Sequence, residues 1–135
     1  MTDKDFTNKT ALITGGSKGI GRSICEEFAK KGTEVIFTYR KNDKSVKSLI
    51  SFTKKYNQKI YGYRTNSLTD KNLKILFKKI KKRHKKIDFL INNVGDAIQR
   101  SKFIKSTDEL WLKSLDINLM SAVRVTKCLL NLFRN

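Results

Sequence analysis

The sequence contains few of the residues from which covalent or metal-bound frameworks are built. Its 135 residues include no proline, two cysteines and one histidine. Cys25 and Cys128 lie far apart and form no Cys-x-x-Cys pair, so neither a disulfide framework nor a zinc site is indicated, and no metal is expected. Both thiols are expected to be small buried apolar side chains.

Long apolar runs are also missing. The segment Met1–Lys9 is polar and of mixed charge, which argues against a signal peptide, and no later run approaches the roughly 20 residues of a membrane span. We therefore expect a cytoplasmic protein with no membrane partner. The length predicts a single domain, residues 1–135, because domains commonly contain roughly 100 to 200 residues.

Acidic residues are scarce relative to basic ones. Thirty Lys and Arg residues against twelve Asp and Glu residues give a formal charge of +18, which makes nucleic acid a candidate partner. The densest basic segment is Lys71–Lys86, and binding through it should weaken steeply with salt. However, neither a helix-turn-helix nor an aromatic stacking platform accompanies this charge, and charge runs are usually solvated faces. We therefore expect no nucleic-acid partner, and we expect His84 to be exposed.

Apolar strands alternate with amphipathic helices along the whole chain. Four strands are predicted, at Thr10–Thr14, Thr33–Tyr39, Lys59–Arg64 and Ile87–Ile91. The first helix is predicted over Ile20–Lys31, with Gly32 ending it. A capping-box spacing, Ser106-x-x-Glu109, predicts the start of a last helix that runs to the C-terminus. This alternation implies right-handed crossovers, so the fold class is α/β: a Rossmann-like doubly wound parallel sheet, truncated after about four strands plus a long helix.

A glycine-rich segment, Thr14-Gly15-Gly16-Ser17-Lys18-Gly19-Ile20-Gly21, joins the first strand to the first helix. Here Gly15 would permit a tight exit from the strand, Gly19 would let the backbone approach a pyrophosphate, and Gly21 would let the helix pack closely on the sheet. The helix N-terminus offers free N–H groups and partial positive charge to phosphates. The segment predicts a dinucleotide site with these contact residues: Thr14, Gly15, Ser17, Lys18, Gly19, Ile20 and Gly21.

The pattern Thr-Gly-x-x-x-Gly-x-Gly resembles the signature of the short-chain dehydrogenase/reductase family, and other family motifs follow in order. The run Asn92-Asn93-Val94-Gly95 resembles the family's Asn-Asn-Ala-Gly. The resemblance implies that the first of these Asn residues braces the sheet and that the following backbone lies along the adenosine ribose. The run Ser67-Leu68-Thr69-Asp70 resembles the family's Asp-Val-Thr-Asp, which implies that Ser67 and Leu68 line an adenine pocket. The overall pattern is similar to that of 3-oxoacyl carrier-protein reductases.

The stretch Trp111–Met120 resembles the family's Asn-containing helix. In this resemblance, Asn118 aligns with the catalytic Asn, which kinks the helix and holds a proton-relay water. The implied reaction is hydride transfer between a nicotinamide cofactor and a small carbonyl or alcohol substrate.

Residues at the end of the second strand indicate which cofactor is used. An acidic residue there would bond the ribose 2′-hydroxyl of NAD, but Tyr39 and Arg40 occupy this position. Together, Arg40 and Lys18 supply two cations suited to a 2′-phosphate. NADP is therefore expected in preference to NAD.

The family's remaining catalytic groups are a Ser and a Tyr with a Lys four residues later, all beyond the Asn118 helix. The tyrosines of this chain all lie upstream of that helix, so we expect the chain alone to be inactive. The apolar edge at Phe89–Ile91 and the surplus apolar side chains of the last helix predict either a homo-oligomer or pairing with a missing C-terminal half. A non-catalytic dinucleotide-binding protein is the alternative.

Overall fold

The computed structural model describes residues 6–41, 44–65, 69–100 and 102–133. Within them are four strands: β1 (Thr10–Ile13), β2 (Glu34–Tyr39), β3 (Ile60–Arg64) and β4 (Phe89–Ile91). They form one parallel sheet in the order β3-β2-β1-β4. This arrangement confirms the predicted α/β, Rossmann-like doubly wound fold.

Helices cover both faces of the sheet. The helix bounds are Gly19–Lys30 for α1, Lys44–Lys54 for α2, Asp70–Arg83 for α3, Asp108–Leu115 for α4 and Ser121–Phe133 for α5. The predicted last helix is divided, because a π turn at Asp116–Met120 separates α4 from α5, and a short 3-10 turn, Phe103–Lys105, precedes α4. Among the described residues, no helix is both long and apolar enough to cross a membrane.

The strands are almost entirely apolar because both of their faces are buried. Successive side chains of a strand point to opposite faces of the sheet. Leu12 and Ile36 therefore pack into a core layer with α3 and α5, whereas Ile13 and Phe37 pack with α1 and α2. Cys25 lies in the second layer, as expected for a buried thiol, and burial raises its pKa to about 12. Cys128 is only half-buried.

The end of α1 is set by Gly32, as predicted. Gly32 has a φ of +87°, a left-handed conformation that costs glycine little. Its N–H donates to the Ala29 carbonyl and the Thr33 N–H donates to the Phe28 carbonyl. These two bonds form a Schellman motif, which satisfies the last carbonyls of the helix and directs the chain into β2.

The start of α4 differs from the predicted capping box by one residue. Thr107 is the N-cap, and its hydroxyl accepts the Leu110 N–H. Ser106 instead donates to the Phe103 carbonyl and accepts the Trp111 indole N–H. The prediction was wrong because Ser106 and Thr107 are both good capping residues, and only the preceding 3-10 turn decides between them.

The prediction that His84 is exposed was also wrong. Its side chain is buried, its Nδ1 lies 2.7 Å from Glu34 Oε1, and its ring meets the edge of Tyr61. The reason is that α3 ends at Arg83, after which the chain turns inward toward the first residues of β2 and β3. A single residue at a helix end therefore faces the core although its lysine neighbours are solvated.

The edge strand β4 lies beside β1, as expected. Its side chains are half-buried rather than exposed, in part because Phe89 stacks with Phe6 and Phe28 at centroid distances of 5.0 and 5.3 Å. The preceding residue, Asp88, accepts the Thr10 N–H at 2.9 Å and lies 3.4 Å from Lys9 Nζ. Its partial burial alone would raise its pKa, but these contacts outweigh it and the pKa of Asp88 is lowered.

This carboxylate makes stability depend on pH. Because the folded-state pKa of Asp88 is depressed, its contribution is present above the unfolded value of about 3.9 and is lost as pH falls through the folded value. We expect Asp88→Asn to lower the free energy of unfolding by about 1–2 kcal/mol at pH 7 and to flatten the loss of stability in acid. Urea denaturation between pH 7 and pH 3 measures both effects.

The matched control is Glu109→Gln. Glu109 is paired with Lys113, but both side chains are exposed, so solvent screens the interaction and little change is expected. An Asp88→Asn protein whose stability falls with acid as steeply as that of the parent chain would contradict the prediction.

Candidate functional site

A cavity of about 410 Å³ opens at the carboxyl ends of the strands. It lies where Gly15, after β1, faces Asn93, after β4. The chain leaves β1 toward β2 on one side and returns as β4 on the other, and such a switch point is where open α/β sheets form ligand crevices. The lining residues are Gly15, Lys18, Thr38, Tyr39, Arg40, Thr65, Thr69, Asn93, Val94, Gly95, Asp96, Asp116, Ile117, Ser121 and Arg124.

The glycine-rich turn is fastened to the end of β2. The Gly15 N–H donates to Thr38 Oγ1 at 3.1 Å, and the Gly16 N–H donates to the Thr38 carbonyl at 3.0 Å. Gly15 has a φ of +68°, which allows the sharp exit from β1. The turn therefore has a fixed path before it enters α1.

Two glycines of this turn are required by close packing. A Cβ at Gly21 would lie 2.4 Å from the Gly15 carbonyl oxygen and 2.5 Å from Asn93 Nδ2. A Cβ at Gly16 would lie 2.6 Å from Phe37 Cβ. The sequence predicted close packing at Gly21 but not at Gly16, because the residue that crowds Gly16 is Phe37, which lies on β2.

Gly19 differs from these two glycines. It has a φ of +53°, and apart from its chain neighbours and the backbone of α1, no described atom lies within 4 Å of where its Cβ would be. Its backbone is thus open at the N-terminus of α1, where the first N–H groups of a helix lack intrahelical acceptors. This opening is suited to a phosphate, which the helix dipole also attracts.

The residues after β4 are hydrogen-bonded to the glycine-rich turn. Asn93 Nδ2 donates to the carbonyls of Thr14 and Gly15 at 3.0 and 3.2 Å. In return, Thr14 Oγ1 accepts the N–H groups of Asn93 and Val94. The brace is therefore Asn93, not Asn92 as the family resemblance implied. The Asn92 amide points the other way and donates to Thr126 Oγ1 on α5, since adjacent residues on an extended chain face opposite sides.

Asn118 lies in the π turn, beside the far wall of the cavity. Its Oδ1 accepts the Asp96 N–H at 3.1 Å, and its Nδ2 donates to the carbonyls of Asp96 and Ser114 at 3.0 and 2.9 Å. A Cβ at Gly95 would lie 2.8 Å from Asn118 Oδ1. The side chain of Asn118 thus joins the helix to the loop after β4.

Seven of the fifteen predicted contact residues line the cavity. Thr14 and Gly21 are buried beneath it, Ser17, Gly19 and Ile20 continue the turn beside it, and Asn92 faces α5. Ser67 and Leu68 lie outside the described residues. The predicted residues that line the cavity are Gly15, Lys18, Tyr39, Arg40, Asn93, Val94 and Gly95.

Several lining residues were missed by sequence reasoning. Thr38 and Thr65 occupy the carboxyl ends of β2 and β3, so the strand order alone could have suggested them. The π turn and α5 offered no comparable signal, because helical periodicity does not show which turn faces the crevice. The missed residues are Thr38, Thr65, Thr69, Asp96, Asp116, Ile117, Ser121 and Arg124.

The cavity carries cations at separate places. Lys18 lies on the glycine-rich turn and Arg40 follows β2. The main chain of Arg40 is held in place because its carbonyl accepts the Arg64 Nε–H at 3.2 Å. Such cations favour ligands with more than one phosphate group, and guanidinium groups are especially suited to phosphate oxygens.

Comparison with known families agrees with this geometry. The family model described as short chain dehydrogenase matches residues 9–135. The NAD-dependent glycerol dehydrogenase of Listeria innocua is 34% identical over 120 residues, which are 87% of this chain and 45% of that protein. The 3-oxoacyl-[acyl-carrier-protein] reductase of Escherichia coli is 32% identical over 126 residues, which are 93% of this chain and 50% of that protein.

Solved structures show the same fold. A short chain dehydrogenase of Shigella flexneri 2a, complexed with NADP, superposes with a TM-score of 0.85 at 23% identity, covering 98% of this chain and 56% of that one. The chain therefore spans about half the length of the relatives that it matches.

The close packing at Gly21 can be tested by measuring the stability of variants. Gly21→Ala would force the Gly15 carbonyl and the Asn93 amide apart, and we expect it to cost about 1–3 kcal/mol, typical of overpacking. Gly19→Ala is the matched control because it adds the same methyl group into open space, so backbone strain of about 1 kcal/mol is its main cost. Thermal and urea unfolding measure both. A Gly21→Ala protein that is no less stable than the Gly19→Ala protein would refute the packing argument.

Proposed function

The chain belongs to the short-chain dehydrogenase family, and we propose that it forms the NADP-binding part of an oxidoreductase. The observation that carries this proposal is the junction of Thr14, Gly15 and Asn93, which holds the glycine-rich turn at the switch point of the sheet. It leaves the N-terminus of α1 open beside the cavity, as a bound pyrophosphate requires.

The cavity fits a dinucleotide in shape and charge. Gly19 leaves space for close approach of a phosphate to the backbone. Val94 and Gly95, on the wall after β4, offer main chain along which a ribose can lie. Lys18 and Arg40 then supply positive charge at the turn and at the end of β2.

The residues at the end of β2 favour NADP over NAD. A carboxylate there would accept the 2′-hydroxyl of NAD and repel a 2′-phosphate. Tyr39 and Arg40 stand there instead, and the Arg40 guanidinium can bond a phosphate with two N–H groups. The relatives include both an NAD-dependent enzyme and an NADP complex, so the choice is proposed from these side chains.

In the assembled enzyme, we expect a carbonyl or alcohol substrate. The glycine-rich turn and Arg40 would hold NADPH, which would supply hydride to the carbonyl carbon. This chain contributes Asn118, fixed against the Asp96 backbone, to support proton transfer near the substrate. The Ser, Tyr and Lys that the family uses at the reacting oxygen belong to the second half of the family's sequence. Turnover is therefore proposed only for a protein that has both halves.

Helix α4 and the π turn after it present apolar side chains that suit association with another polypeptide. Trp111, Leu112, Leu115 and Leu119 are between 49% and 67% exposed, and exposed apolar patches commonly mark interfaces. We propose that this face and the edge of β4 that no described strand pairs with are covered either by the family's C-terminal half or by a second copy of the chain.

Cofactor choice can be tested by isothermal titration with NADP and with NAD. Arg40→Ala should weaken NADP binding about 10- to 100-fold, because it removes a charge-assisted hydrogen bond to the 2′-phosphate. NAD has no such phosphate, so its binding should be nearly unchanged. Lys41→Ala is the control because it removes an exposed neighbouring cation that does not line the cavity. Equal affinity of the parent chain for NAD and NADP would overturn the preference, and binding of neither would overturn the proposed function.

A further inference from the structure

The π turn is stabilised by a serine that satisfies two backbone groups. In an α-helix, the Ser121 N–H would donate to the Ile117 carbonyl, four residues earlier. Here it donates to the Asp116 carbonyl, five residues earlier. The Ile117 carbonyl instead accepts the Ser121 hydroxyl at 2.6 Å. The buried Ser121 therefore supplies a donor to the carbonyl that the wide turn deprives of its helical partner.

An ion pair spans the same turn. Arg124 Nη2 donates to Asp116 Oδ1 at 2.5 Å. On a regular α-helix, residues eight positions apart are rotated by about 80° from one another, since each residue adds about 100°. A π turn contains about one additional residue and removes most of this rotation. Asp116 and Arg124 can therefore meet on one face because the turn is wide, and their pairing favours the wide form.

The turn also decides where Asn118 points. On its C-terminal side, α5 is anchored in the core by Val125, Leu129 and Leu132, which are buried. On its N-terminal side, α4 has no buried residue. A return to the regular helical register would therefore rotate α4 rather than α5, and would turn Asn118 by up to about 100° away from its present partners.

We propose that Ser121 is a positioning residue: its hydroxyl, assisted by the Asp116–Arg124 ion pair, maintains the π turn and thereby keeps the Asn118 amide on the Asp96 backbone. The link from Asn118 to the reaction rests on the proposed function. The geometry itself is independent of it and can be tested without cofactor.

The test is NMR of the full chain, with amide hydrogen exchange measured at Asp96 and chemical shifts measured for the Asn118 side-chain amide. Ser121→Ala removes the hydroxyl. The Asp96 N–H should then exchange about tenfold faster, as expected for the loss of one hydrogen bond, and the Asn118 amide signals should move. Ser121→Thr retains a hydroxyl and should return both readouts toward the parent values.

The matched control is Ser23→Ala. Ser23 Oγ also donates to a carbonyl four residues earlier, that of Gly19, but within the regular helix α1, so its loss should leave the Asp96 and Asn118 signals unchanged. Parent-like exchange and shifts in Ser121→Ala would overturn the proposal.

If Ser121→Ala does not fold, Asp116→Asn removes the ion pair with Arg124 at a more exposed position. The exchange rate of the Asp96 amide is then measured in that variant. Accelerated exchange of the Asp96 amide would support the proposal, and unchanged exchange would overturn it. A parent chain that fails to bind NADP in the titration described above would overturn the proposed function and still leave the exchange data to decide the π turn. The two failures are therefore distinguishable.

Discussion

The hydrogen-bonded junction between Thr14 and Asn93 is the constraint on which the rest of the site depends. It joins the first residue after β1 to residues after β4, which are separated by about 80 positions in sequence. Each buried polar group in it has a partner, so the cost of removing these groups from water is offset. Since the same Asn93 amide also bonds the Gly15 carbonyl, the path of the glycine-rich turn follows from this junction.

Close packing around the glycine-rich turn explains two of its glycines. Gly16 and Gly21 are glycines because atoms from other elements occupy the positions of their Cβ groups. Gly19 has open space, and its backbone is free to approach a ligand. Three glycines of one turn are thus required for different physical reasons, two because of close packing and one because it leaves the backbone accessible.

Much of the fold was predictable because local patterns encode it. The four strands and the parallel α/β arrangement were predicted correctly from apolar runs and helical periodicity, and so was the end of α1 at Gly32. Besides the division of the last helix and the missed lining residues, three errors fell at single positions. Thr107 rather than Ser106 caps α4, Asn93 rather than Asn92 braces the turn, and His84 is buried.

The sequence alone determined the order of strands and helices, the place of the glycine-rich turn and two of the cavity's cations, Lys18 and Arg40, since these depend on residue types at short spacing. The tertiary structure alone decided which of two adjacent polar residues faces inward, how the Arg124 and Asp116 side chains meet across a π turn, and that Asn118 bonds the Asp96 backbone. These features depend on atoms that are distant in sequence, and local propensity carries no information about such distances.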